Sequence, residues 1–217
     1  MEKPIFPSKY MRITQGYEEG THKSSYAIDN AGKDTGISDI YAPFTGIVKK
    51  IYPNDANEVW LESIDKVEYP DGTVDYMTIL FAHDNQIQNL FVGKRVSQGE
   101  IFYHEGTKGN VTGNHCHIEC AKGKFIGTGW YKNESGYWSI INRKKPEECL
   151  WIDDSIKILD NHGYQFQKVS TKAVEKETKI EKSTEIVEKK NYKSYIAPKT
   201  DLYGVYLKKN QKITIED

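Results

Sequence analysis

The chain has no apolar run near the roughly 20 residues that a helix needs to cross a bilayer, so no helical membrane insertion is expected. Neither sign of charge is in excess. Lys and Arg number 30 against 31 Asp and Glu, leaving a net charge of -1 over 217 residues. No overall field therefore draws the chain to nucleic acid or to an anionic membrane surface. Only three cysteines occur, an odd number that builds no disulfide framework. The opening "MEKPIFPSKYMRITQGY" lacks the basic head and apolar core of a secretory signal. The expectation is a protein made in the cytoplasm that reaches its place of action by another route. HExxH is also missing, since "YHEGT" at 103–107 has no second histidine, and this excludes the helical zinc-peptidase motif.

What is present reads as β structure. The chain is 37% hydrophobic and 12% aromatic, enough for a globular core in part of its length. From Ile40 to Glu119 it consists of short β-branched and aromatic runs, "YAPFTGIVKKIYP", "NEVWLESI" and "TVDYMTILFAH". They are separated by turn signals such as the Asp-Gly of "YPDGT" and by glycines at 93, 99, 106, 109 and 113. These predict a mainly β fold, an antiparallel and partly closed sheet, over residues 1–167. The segment 121–150 is rich in aromatics, which either line a groove or form a satellite core, and "KPEECLWID" predicts a short helix with Pro146 in its first turn. Residues 168–190 are mixed-charge, without aromatic, glycine or proline, and read as a tether with some helical support from Glu175–Lys179 and Glu185–Lys189. Residues 191–217 regain β character. They are too short to fold alone and predict a tail for attachment or self-association, with a homo-oligomer as one outcome.

The residues capable of chemistry are histidines. In "NHCHIEC" a strand would turn His115, His117 and Glu119 to one face and Cys116, Ile118 and Cys120 to the other. Side chains at i and i+2 of a strand lie about 7 Å apart, so one histidine can hold a metal while its neighbour reaches water or substrate. An isolated HxH is more often a plain surface strand, and the two cysteines read as small core residues rather than ligands. "THKSSYAID" adds His22 and Asp29, and "LFAH" ends an apolar run on His83. Zinc takes imidazole nitrogen and carboxylate oxygen, so His22, Asp29 and His117 would make three protein ligands with one position open. His104 and His162 read as structural or solvated.

Taken in order, "THKSSYAID", "APFTGIVKK", "LFAH", "VGKRVSQGE", "EGTKGNVTG" and "NHCHIE" resemble the lysostaphin- or LytM-type zinc metallopeptidases over roughly residues 10–155. The resemblance implies one zinc ion held by His22, Asp29 and His117, with His83 and His115 as catalytic histidines; zinc-site chemistry then makes Glu119 a residue that orients a ligand histidine. It implies hydrolysis of peptide bonds in bacterial peptidoglycan, as in a phage-type endolysin acting on the cell wall. Members of the same fold without zinc, acting as binding modules, are the alternative, but all five positions are filled here. Two features depart from the family pattern. Six residues separate His22 from Asp29 where three are usual, and the aromatic segment after Glu119 is longer than a minimal domain needs.

Overall fold

The computed structural model describes residues 1–53 and 55–169. Apart from Lys168 and Val169, the expected tether 168–190 and the tail 191–217 lie outside the described residues. The predicted mainly β architecture is found. Among the described residues nine strands form one sheet, whose main path runs Lys157–Asp160, Tyr10–Gln15, Ile28–Asn30, Cys116–Lys122, Met77–Ala82, Glu58–Ser63, Gly46–Tyr52 and Arg95–Val96. Arg143–Lys144 adds to Cys116–Lys122 off that path. All pairings are antiparallel except the edge pair Tyr10–Gln15 with Lys157–Asp160, which is parallel. Among the described residues the sheet does not close on itself, since its two end strands do not pair. The helical content of the described residues is limited to the 3-10 turns Gly20–His22 and Pro146–Glu148, the second where "KPEECLWID" predicted one. None of their helices is long and apolar enough to cross a membrane.

The central strands carry apolar residues on both faces, and both faces are covered. Met77–Ala82 is buried at every position. Met77, Ile79 and Phe81 join the main core with Leu61, Ile118, Cys116 and Cys120, so both cysteines are core residues as expected. Leu80 faces the other way, against Trp60, Ala121 and Ile140. This second layer is supplied by the aromatic segment, which folds into a hairpin of Trp130–Lys132 against Trp138–Ile140. Its Trp130 packs edge-on to Trp60 with ring centroids 4.9 Å apart, a geometry that adds to plain area burial.

One carboxyl group is also enclosed. Glu105 has no exposed surface. Its Oε2 accepts a hydrogen bond from the Ser38 N–H at 3.3 Å, while its Oε1 has no partner among the described residues. Desolvation pushes its pKa up to about 7, against the opposing pull of the Ser38 hydrogen bonds and of Arg12. The folded chain therefore keeps this proton to higher pH than the unfolded chain does. Its contribution is most favourable at low pH and is lost as pH rises from about 4.5 to about 7. Glu105→Gln should remove that dependence. The difference in unfolding free energy between pH 5 and pH 8 should change by on the order of 2 kcal/mol, read by urea denaturation at both values. An unchanged difference would mean that Glu105 titrates normally.

Candidate active site

Strand register builds the site. Ile28–Asn30 pairs with Cys116–Lys122 so that Asp29 lies opposite His117. On the other side of the same strand, His117 lies opposite Ala82, the last residue of its strand, and His83 follows at once. A single row across three neighbouring strands runs Asp29, His117, Ala82, with His83 one step past its end. Shifting any of these strands by one residue would send its functional side chain into the core. His115 precedes the strand and is held by a two-way backbone bridge to Gly106, at 3.0 and 3.2 Å.

His22 arrives by a different route. It closes the 3-10 turn Gly20–His22, and the chain then folds back on itself through Ser24 and Tyr26, both in the left-handed region at φ 63° and 60°. Ser25 donates to the His22 carbonyl from both its N–H and its hydroxyl. The six-residue interval is absorbed in this turn, and His22 Nε2 comes within 3.3 Å of Asp29 Oδ1.

All five residues singled out in the sequence meet at one cavity of about 680 Å³. His117 Nδ1 lies 3.1 Å from Asp29 Oδ1, and His117 Nε2 lies 3.1 Å from Glu119 Oε1. Asp29 Oδ2 turns the other way, toward His115 Nε2 at 3.5 Å. His22, Asp29 and His117 offer ligand atoms within 4.8 Å of one another, close enough to share one metal ion. The shifts in the cavity run in different directions. Burial alone would lower the His117 pKa, but the hydrogen-bonded carboxylates of Asp29 and Glu119 raise it to about 10. Burial likewise works to raise the Asp29 pKa, but hydrogen bonds from His117 and His22 hold that carboxyl well below the usual range. His83 is pushed down to about 4, first by desolvation and then by the charge of His117.

Backbone carbonyls set the remaining two rings. His83 Nδ1 is 2.8 Å from the Lys108 carbonyl, and His115 Nδ1 is 2.9 Å from the Gly113 carbonyl. A carbonyl can only accept, so each Nδ1 carries a hydrogen, and it is at Nε2 that the neutral ring keeps its lone pair.

The cavity has contributors beyond these five, among which Glu58 had no signal in the sequence. Glu119 was read as an orienting residue, and it does reach His117. Its other oxygen accepts hydrogen bonds from the Ser139 hydroxyl at 2.7 Å and the Ile140 N–H at 2.9 Å, so the aromatic hairpin holds it. That hairpin also lines the cavity with Trp138, 60% exposed, and Tyr137, 40% exposed. Both readings of the aromatic segment therefore apply, to different residues. Glu58 lines the cavity as well, with its pKa raised by burial. His104 pairs with Asp84 at 3.0 Å and His162 with Glu19 at 3.0 Å; neither lines the cavity.

Comparison with known proteins returns no matching family model. Over 166 residues the chain is 36% identical to Morphogenesis protein 1 of Bacillus phage B103, an alignment covering 75% of this chain and 43% of the relative. The chain thus spans less than half the length of that relative. Among solved structures it is similar to the catalytic domain of lysostaphin from Staphylococcus simulans, at 20% identity over 53% of this chain and 80% of that one, TM-score 0.38. It is also similar to a zinc-containing peptidase from Vibrio cholerae, at 19% identity over 54% of this chain and 36% of that one, TM-score 0.39.

Gly106 offers a direct check on how the two histidines are positioned. A Cβ at Gly106 would run into the His83 carbonyl oxygen, and His83 itself holds φ 90°, an uncommon value outside glycine. Gly106→Ala should therefore destabilise the fold by about 1–3 kcal/mol as the backbone shifts. Gly113→Ala, where nothing lies within 4 Å, should stay within roughly 0.5 kcal/mol. Chemical denaturation of both variants tests this, and equal midpoints would show that the Gly106 contact yields without cost.

Proposed function

We propose that this chain is a zinc-dependent endopeptidase that hydrolyses peptide bonds of bacterial peptidoglycan. In this reading His22, Asp29 and His117 are the ligands of one zinc ion, and His83 and His115 are the catalytic histidines. The observation that carries the reading is the convergence of these five side chains on one open cavity, three of them within reach of a single ion. The donor set fits the metal: two imidazoles and a carboxylate are ligands that zinc accepts, with a fourth position left for water. His22 Nδ1 is buried without a partner among the described residues, and His117 faces two carboxylates that call for positive charge. A divalent ion supplies that charge in place of a proton.

When bound, the ion lowers the pKa of a coordinated water toward about 7 and polarises the scissile carbonyl. The rest of the chemistry falls to this chain's own groups. His115 takes a proton from the attacking water at Nε2, which its Gly113 hydrogen bond leaves bare. His83, whose ring centroid is 4.6 Å from that of His115, has its Nε2 bare for the same reason, so it donates only after it has itself been protonated. The proton taken from water is shared between these rings and delivered to the leaving amine. Glu119 keeps His117 in one orientation. Trp138, Tyr137 and Leu80 form an apolar wall suited to a peptide chain lying along the cavity. The identity with a phage protein supports a phage setting, in which wall hydrolysis serves lysis or entry.

Two measurements test this. Purified protein incubated with bacterial cell walls should release muropeptides with new amino termini and intact glycan, identified by mass spectrometry. Hydrolysis should stop on chelation and return with zinc. Hydrolysis that persists after complete zinc removal would overturn the mechanism, and His115→Ala should lower the rate by about 10²–10⁴-fold. In a separate measurement, Glu119→Gln should weaken zinc binding by about 10–100-fold. Unchanged affinity in that variant would remove Glu119 from the support of the site.

A further inference from the structure

We propose that Glu58 is a specificity-determining residue of the cavity, whose carboxylate receives a primary ammonium group carried by the substrate peptide. This rests on the reading of the cavity as a peptidase site and extends it to the residue beside the bond that is cut. Three observations carry it.

The first is charge. Among the described residues four carboxylates line the cavity, those of Asp29, Asp55, Glu58 and Glu119. Asp29 and Glu119 each face His117 at 3.1 Å, and Asp55 is exposed to water. Glu58 is enclosed on one side: its Oε2 is buried without a partner, and it makes no ion pair among the described residues. No lysine or arginine among them lines the cavity either. Lys50, on the neighbouring strand, senses Glu58 without pairing with it. Its ammonium donates to the Thr128 carbonyl and lies over the Trp130 ring, 4.1 Å from the centroid. A carboxylate held this way is costly until a group from outside pairs with it. Glu58 belongs to neither set of potential metal ligands, so an organic cation is the partner that fits.

The second is placement. Glu58 opens the strand Glu58–Ser63, opposite Tyr52. Val59 lies opposite Phe81, so Glu58 stands beside Ala82, which faces His117 on its other side. Two strand spacings, roughly 10 Å, therefore separate Glu58 from that ligand. This is too far to touch the scissile bond. It suits the side chain of a residue close by in an extended peptide, which advances about 3.3–3.6 Å per residue.

The third is rigidity. The backbone that carries Glu58 also anchors His83, whose N–H donates to the Ala56 carbonyl at 2.7 Å. Asn57, at φ 53°, donates its side-chain amide to the Asp84 carbonyl at 2.7 Å, and its own carbonyl accepts from the Tyr103 hydroxyl at 2.7 Å. A charge fixed in this way loses little freedom on meeting its ligand. An ammonium group brings unit charge and three donors, and the rings of Tyr52 and Trp138 in the same cavity suit its alkyl stem. An acylated amine brings no charge and leaves Glu58 unmatched, so the site discriminates against it.

The test uses the full chain loaded with zinc and cross-linked muropeptide dimers that carry a free primary amine, either untreated or N-acetylated. The wild-type kcat/KM should fall at least tenfold on acetylation, mainly through KM. Glu58→Gln should fall as far on the untreated dimers and lose the distinction, while Glu58→Asp should keep part of it. Zinc affinity by calorimetry and the circular dichroism of Glu58→Gln should match the wild type. A wild-type rate indifferent to acetylation overturns the inference, as does a Glu58→Gln variant that still discriminates. Tenfold weaker zinc binding in that variant also overturns it, by placing Glu58 in the support of the metal. Each of these outcomes leaves the peptidase reading standing. Failure of the zinc-loaded wild type to cut either dimer overturns that reading together with this one.

Discussion

The cross-strand pair of Asp29 and His117 is the interaction on which the site depends. It is fixed by backbone hydrogen bonding between Ile28–Asn30 and Cys116–Lys122 rather than by the side chains themselves. That register is in turn fixed by burial, because Ile28, Cys116 and Ile118 have to enter the main core. With a two-residue side-chain period, sending these residues inward sends Asp29's and His117's functional groups to the opposite layer. The core and the site are therefore two faces of one register. Burial of the apolar face supplies the free energy that holds two carboxylates and several imidazoles together in a half-enclosed cavity.

Much of this was legible in the sequence because it is carried by period-two alternation. "NHCHIEC" announces which residues face the core, and the structure bears that out for Cys116, Ile118 and Cys120. The glycine and Asp-Gly signals mark the turns, and the 3-10 turn at Pro146–Glu148 falls where proline predicted a helix start. The openness of the sheet was not legible. Closure depends on how far twist carries the end strands around, and no local residue pattern records that. Nor was Gly106, one glycine among several in a turn-rich stretch, distinguishable from the rest. Its requirement comes from the His83 carbonyl, more than twenty positions away in the chain. The carbonyls of Lys108 and Gly113, which set the histidine tautomers, leave no trace in side-chain identity at all.

His83 shows how position and chemistry are joined. Its φ of 90° lifts it out of the strand Met77–Ala82 at the point where the apolar alternation ends. The strain is held by contacts on both sides of the residue. Its N–H donates to the Ala56 carbonyl at 2.7 Å, and its own carbonyl accepts from the Lys108 N–H at 3.0 Å. The same Lys108 then receives the His83 ring hydrogen through its carbonyl. One residue thus fixes both the backbone and the tautomer of the histidine, which a strand end left to itself would allow to fray.

The two departures from the family pattern turn out to be one feature. The longer interval between His22 and Asp29 makes a loop that would be loose if it stood alone. The longer aromatic segment after Glu119 supplies what holds it. Asn133 donates its side-chain amide to the carbonyls of Lys23 and Ser24, each at 3.1 Å. Ser24 and Ser135 hydroxyls meet at 3.0 Å, and the Ser139 hydroxyl, whose hydrogen goes to Glu119, packs 3.3 Å from the Ser25 carbonyl. Asn133 is itself fixed, its side-chain oxygen accepting from the backbone of Ser135 and Tyr137. The hairpin that clamps the His22 loop is the same hairpin that holds Glu119 against His117 and raises Trp138 over the cavity. Lengthening the first loop without the hairpin would leave His22 unanchored. Adding the hairpin without the longer loop would leave Asn133 with no carbonyls to bind. Each insertion makes physical sense only in the presence of the other, and together they tie the wall of the cavity to two of the residues at its floor.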